Sequence, residues 1–72
     1  MEDKDIEVVK FGRHLFDLRR EQKISQEDLA FRSEINRTYI GEVERGEKNP
    51  SLTTIVKLAK GLNVDKKVLM EY

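Results

Sequence analysis

The stretch "SQEDLAFRSEINRTYIGEVERGEKNPSL", residues 25–52, decides how this chain folds. Ser25 is a natural N-cap, because its hydroxyl can accept a hydrogen bond from one of the free N–H groups of a first helical turn. Asp28, three residues on, can reach back to the cap as a capping box, although Glu or Gln is commoner there. Ile24 before the cap and Leu29 at the fourth helical position have the spacing of a hydrophobic staple. A short helix is therefore expected from residue 26 to about Arg32. Asn36 caps a second one, in which Ile40 and Val43 form an apolar stripe and Gly46 is the stop. "EKNPS" reads as a loop, and Pro50 and Ser51 begin a further helix.

Working outward, apolar residues recur at helical steps on both sides. Val8, Phe11, Leu15 and Leu18 repeat every three or four positions and predict a first helix from Asp5 or Ile6 to about Lys23, with His14 beside the apolar face. His14 reads as a partly exposed or hydrogen-bonded residue. Leu52, Ile55, Leu58, Ala59 and Leu62 give the fourth helix its buried stripe, closed by Gly61. Asp65 caps a short fifth helix over residues 66–71. No alternating stretch and no Asn-Gly or Asp-Gly hairpin signal interrupts the series. The expected fold is all-α with five helices. Its centre, residues 25–45, is two short helices joined by a few residues, the outline of a helix-turn-helix.

Composition sets limits on function. Seventy-two residues make one domain at most, residues 1–72, near the lower end of what folds unaided. With no cysteine and one histidine, disulfides and thiolate metal sites are excluded, and no metal or other cofactor is expected. No apolar run approaches the roughly 20 residues that span a bilayer. The N-terminus "MEDKDIEVVK" is acidic and lacks the apolar core of a signal peptide. A soluble, cytoplasmic protein is expected. Fourteen basic residues balance fourteen acidic ones, but Glu2, Asp3, Asp5 and Glu7 crowd the first seven positions. The remaining 65 residues carry thirteen bases and ten acids, so the folded part leans mildly positive. Carboxylates alternate with bases on helix faces, and there is no Gly-rich phosphate loop, nucleophile–base pair or metal-ligand spacing. An enzyme is not expected.

The third helix carries the chemistry. At about 100° per residue, Ile40, Val43 and Asn36 fall on one side. Thr38, Glu42 and Arg45 point the other way with Gly41 between them, and Arg37 flanks the exposed N-terminal end. The second helix of a helix-turn-helix enters the major groove and reads base edges with its N-terminal residues. Arg37 suits that position, since its planar fork matches O6 and N7 of guanine. Thr38 can bond a base edge or pack its methyl on thymine, and Glu42 can accept from the amino group of cytosine. Tyr39 can donate to a phosphate. Gly41 costs about 1 kcal/mol against alanine in a helix. Two readings offset that equally well: close approach of backbone to DNA, or room for a neighbouring helix.

"SQEDLA" followed by "INRTYIGEVERGEKNPSL" resembles the XRE, or lambda-repressor-like, helix-turn-helix family over about residues 8–71. Within it, "QEDLA" with "RTYI" is most similar to the controller proteins of restriction–modification systems. The resemblance implies a five-helix DNA-binding domain in which Arg37, Thr38 and Glu42 contact bases. It places Gln26, Asn36, Tyr39, Arg45, Lys48, Asn49 and Ser51 among backbone-contacting positions, and makes Arg19 and Glu44 a structural ion pair. Two positions depart from the family pattern. Glu34 stands where the turn usually has glycine, which implies about 1 kcal/mol of strain if φ is positive there. Gly41 stands where many relatives have serine.

One recognition helix reads too few base pairs to select a site, so such domains pair, setting two helices in successive grooves about 34 Å apart. The C-terminal segment, about residues 65–72, has apolar side chains beyond the need of a small core. Leu62, Val64, Leu69, Met70 and Tyr72 are the expected two-fold interface of a homodimer. The resulting expectation is a dimeric transcription regulator on double-stranded DNA, with no membrane or small-molecule partner. It would act on a pseudo-palindromic operator and, by similarity to controller proteins, regulate its own promoter and the endonuclease gene. A prophage-type repressor of the same family is the alternative. An antitoxin-like protein-interaction module is the alternative of a different class, although no part of the chain remains for wrapping a toxin.

Overall fold

A computed structural model describes residues 5–72; the expectation that rested on Glu2 and Asp3 lies outside the described residues. Five helices follow in order: α1 (Ile6–Glu21), α2 (Gln26–Ser33), α3 (Arg37–Glu44), α4 (Leu52–Leu62) and α5 (Lys66–Leu69). Each begins at a side chain that accepts from the first turn. Asp5 takes the N–H of Glu7, Ser25 that of Asp28, Asn36 those of Thr38 and Tyr39, Ser51 that of Thr54, and Asp65 that of Lys67. The Ser25 box is complete, with the Asp28 carboxylate accepting the Ser25 N–H at 3.1 Å. Hydrogen bonding to the carboxylate, first from the Ser25 backbone N–H and then from the Ser25 hydroxyl, holds the Asp28 carboxyl below its ordinary value.

The helix ends follow one design. After α1, α2, α3 and α4 the chain turns through a left-handed residue, in order Lys23, Glu34, Gly46 and Asn63. Each time the left-handed residue's N–H reaches back three positions and the next N–H reaches back five. For α3 these bonds are Gly46 N–H to the Val43 carbonyl and Glu47 N–H to the Glu42 carbonyl. This is the Schellman closure, and it satisfies carbonyls that a helix end would otherwise strand. Glu34 has φ 57°, the strained value that its place in the turn implied. Gly61 does not close α4, contrary to expectation. It lies one residue inside the helix, where an added Cβ would meet Ser33 Oγ of α2, and the stop is Asn63.

Every helix contributes to one core: Phe11 and Leu15, Leu29 and Ala30, Ile40 and Val43, Leu58 and Leu62, and Leu69. α2 packs mainly on α4, and α3 lies against both α1 and α2. Fully burying a residue such as Leu15 or Leu62 contributes about 1.5–3 kcal/mol. The two helices of the helix-turn-helix are thus held from behind by α1 and α4, and their outer surfaces stay open. Leu62 and Leu69, expected at a subunit interface, are instead sealed in the core at 1% and 0% exposure. Both have no surface left for a partner. Val64 is half-buried against the core, whereas Met70 and Tyr72 remain exposed. His14 is half-buried and shares a hydrogen bond of 2.7 Å with the Val68 carbonyl, which ties α1 to α5.

Candidate nucleic-acid interface

The N-terminal turn of α3 projects from the body of the molecule, with Asn36, Arg37 and Thr38 all exposed. Asn36 fixes that turn: its side-chain oxygen accepts the Thr38 N–H at 2.8 Å and the Tyr39 N–H at 3.3 Å. Its amide N–H₂ is left to reach outward. Tyr39 is half-buried and packs on the core, so the ring braces α3 before any contact with DNA. Glu42 is half-buried, one turn behind Thr38 on the same side. Arg37 and Thr38 are therefore free to be presented together, with Glu42 deeper.

Gly41 lies among the outward residues, as the helical wheel suggested, and is buried because the Arg45 and Gln26 side chains cover it. An added Cβ would lie 3.2 Å from the Arg45 guanidinium and about 3.6 Å from the Gln26 amide. The Arg45 contact is the tight one and involves the flexible end of a side chain, while the Gln26 contact is an ordinary van der Waals distance, so a methyl group at position 41 fits with a small shift of Arg45.

The angle between α2 and α3 is set by a buried carboxylate. Glu44 accepts from Arg19 Nε at 2.7 Å and Arg19 Nη2 at 3.0 Å, a two-pronged contact. The same guanidinium donates to the Ile24 carbonyl at 2.9 Å, and the Gln26 amide donates to Glu44 at 2.9 Å. Side-chain exposure is 9% for Arg19 and 4% for Glu44, so water competes little for these bonds. One carboxylate thereby locks α1, the start of α2 and the end of α3 together. The Gln26 N–H₂ is already engaged with Glu44, which braces that side chain at the start of α2.

Arg45, Lys48, Asn49 and Ser51 line the exposed loop from α3 to α4. Arg45 is gripped by the Glu47 carboxylate at 2.9 and 3.2 Å, and that hydrogen bond raises its already high pKa. A phosphate at Arg45 would compete with Glu47. Ser51 spends its hydroxyl on the cap of α4. One cluster on this edge was not anticipated from sequence. Phe16 sits in a recess bordered by Arg13, Gln26, Glu44 and Arg45, and the spacing of Arg13, Phe16 and Arg20 on one face of α1 is the signal that announces it.

A helix-turn-helix family profile matches residues 15–69. The chain belongs to the helix-turn-helix family. It is 41% identical over 63 residues to the control protein C.BamHI of Bacillus amyloliquefaciens, covering 86% of this chain and 78% of that protein. The crystal structure of the restriction–modification controller protein C.AhdI from Aeromonas hydrophila superposes with a TM-score of 0.88. The two are 46% identical, over 90% of this chain and 98% of that one. A third relative, the controller protein C.Esp1396I, was solved as a tetramer in complex with its natural 35 base-pair operator. That chain gives a TM-score of 0.87 at 33% identity, over 93% of this chain and 88% of its own. The five-helix architecture expected from the sequence is thus also that of the controller proteins C.AhdI and C.Esp1396I. No helix among the described residues is long and apolar enough to cross a membrane.

Proposed function

We propose that this protein is a sequence-specific DNA-binding transcription regulator, a homodimer on a pseudo-palindromic operator and the controller of a restriction–modification system in the cytoplasm. The observation that carries this reading is the exposed first turn of α3. Arg37 and Thr38 project from a backbone fixed by the Asn36 cap, on a helix held in place by Glu44. A planar, permanently charged fork on a rigid helix end is the chemistry that reads guanine in a major groove. Arg37, Thr38 and Glu42 are the proposed base-contacting set. Asn36, Tyr39, Arg45, Lys48, Asn49 and Ser51, with Gln26 in its braced position, are the proposed backbone contacts. The tetramer that C.Esp1396I forms on its operator supports an assembly of dimers here too. No catalytic step is assigned to the chain.

The test is selection of bound duplexes from a random pool by the purified protein. The expected product is a motif with two inverted half-sites whose centres lie about 10 base pairs, or a multiple of that, apart. Recovery of no enriched motif, with affinity insensitive to salt, would remove the DNA-binding reading and leave a protein-interaction module in its place.

A further inference from the structure

From the packing around Phe16 we infer a second phosphate-binding element on α1, outside the helix-turn-helix, in which Phe16 holds Arg13 and Arg20 ready to grip the duplex backbone. The guanidinium carbons of Arg13, Arg19 and Arg20 all lie 5.4 Å from the centroid of the Phe16 ring. Three like charges around one ring repel at a separation where salt screens them incompletely. Arg19 is neutralised by the buried Glu44 carboxylate, and Arg13 by Asp17 at 3.1 Å on an open surface. Arg20 meets no carboxylate within ion-pair distance among the described residues. A concentration of cations with one member unbalanced is complementary to an anion.

The location identifies that anion. The recess beside Phe16 is shared with Gln26 and Arg45, two residues of the proposed backbone-contacting set. Arg13, Phe16 and Arg20 recur at steps of three and four, so they form one stripe along α1. α1 in turn packs on α3, so the stripe continues the interface instead of opening a separate one. The ring restricts both long side chains before binding, and restricted side chains lose less freedom when they close on a phosphate. A contact of this kind anchors register and strength and carries no sequence preference.

This inference rests on the duplex-binding reading above, and its test separates the two. Operator and random-sequence duplexes are titrated against salt with the parent protein, with Arg13→Gln/Arg20→Gln, with Phe16→Leu and with Lys57→Gln/Lys60→Gln. The last pair removes the same charge from the exposed side of α4. For the arginine pair the slope of log affinity against log salt should fall by about 0.9 for each lost phosphate contact, hence by about 3–4 for the four arginines of a dimer. The loss should be equal on both duplexes, with operator preference unchanged. Phe16→Leu, which keeps every charge, should weaken both duplexes by the same factor of about three to ten, and the lysine pair should keep the parental slope. Melting curves confirm that each variant is folded. A parental slope in the arginine pair, or parental affinity in Phe16→Leu, overturns the phosphate-binding element while leaving the regulator intact. An equal loss in the lysine pair also overturns it, by reducing the effect to net charge. A parent protein without salt-dependent binding overturns the regulator reading itself.

Discussion

At Arg37 the chemistry of recognition and the stability of the fold are separable, because the side chain is exposed and does no structural work. Arg37→Ala is expected to leave the melting temperature unchanged and to weaken operator binding by about 1–3 kcal/mol, with preference relaxed at one base pair per half-site. Competition binding against operators altered at single positions measures this; an equal loss on random DNA would make Arg37 a phosphate contact. Glu44 is the opposite case. Its carboxylate takes three hydrogen bonds from Arg19 and Gln26 in a site with little water. Glu44→Ala would leave the Arg19 guanidinium buried with only the Ile24 carbonyl as partner. Removing one member of a buried pair costs about 3–5 kcal/mol, most of the stability a domain this small can hold. Urea unfolding should show that loss, and Glu44→Ala/Arg19→Met should recover much of it.

Among the elements, helix starts were legible, as was the glycine stop of α3 at Gly46, whereas the other helix ends were not. Ser25, Asn36, Ser51 and Asp65 announce their helices because a capping side chain is a chemical requirement met by few residue types. The left-handed turns at Lys23, Glu34 and Asn63 give a weaker signal. Backbone hydrogen bonds close them, and a non-glycine residue tolerates the conformation at about 1 kcal/mol. Gly61 misled for the same reason: it serves helix–helix approach inside α4, not termination. The exposed first turn of α3, with Arg37 and Thr38, was legible, whereas the cover over Gly41 and the Phe16 cluster depend on how neighbouring side chains lie across helices, which periodicity within one helix does not encode. In Gly12→Ala a new Cβ would run into the Val43 carbonyl oxygen of α3, and backbone cannot swing aside as a side chain can. Overpacking of about 1–3 kcal/mol should outweigh the gain of about 1 kcal/mol in helix propensity, seen as a lower urea midpoint. At the start of α2, the depressed Asp28 pKa means that the folded state favours the ionised carboxylate. The stabilisation is complete above the unfolded value, near 3.8, and disappears as pH falls through the lower folded one. Asp28→Asn should therefore narrow the stability difference between pH 6 and pH 3, followed by thermal melts, and the Asp28 carboxyl should titrate below 3.8 by NMR.

For the whole molecule, the proposed homodimer needs a face on which two copies meet. Apolar character alone pointed to five residues near the C-terminus, but composition does not say which face of a short helix is turned inward. Leu62 and Leu69 complete the core, and cutting the chain before them would unfold it. Of the five residues expected at the proposed two-fold interface, Val64, Met70 and Tyr72 keep surface for it. Tyr72 is partly committed already. Its ring meets Phe11 edge-on at 6.3 Å, and its hydroxyl donates to the Glu7 carboxylate at 3.0 Å, which raises its pKa. Met70 is 53% exposed at the end of α5 and is the sharper probe, because a change there leaves the core alone. Met70→Glu would bring two like charges together across a two-fold axis and remove apolar area from both copies. The folded protomer should survive, with unaltered circular dichroism, while sedimentation shows monomers at concentrations where the parent is a dimer. Operator affinity should then fall by a factor of about 100 or more, since the second half-site no longer benefits from a tethered partner. Binding to an isolated half-site should not change. A Met70→Glu protein that still sediments as a dimer would move the two-fold axis away from α5.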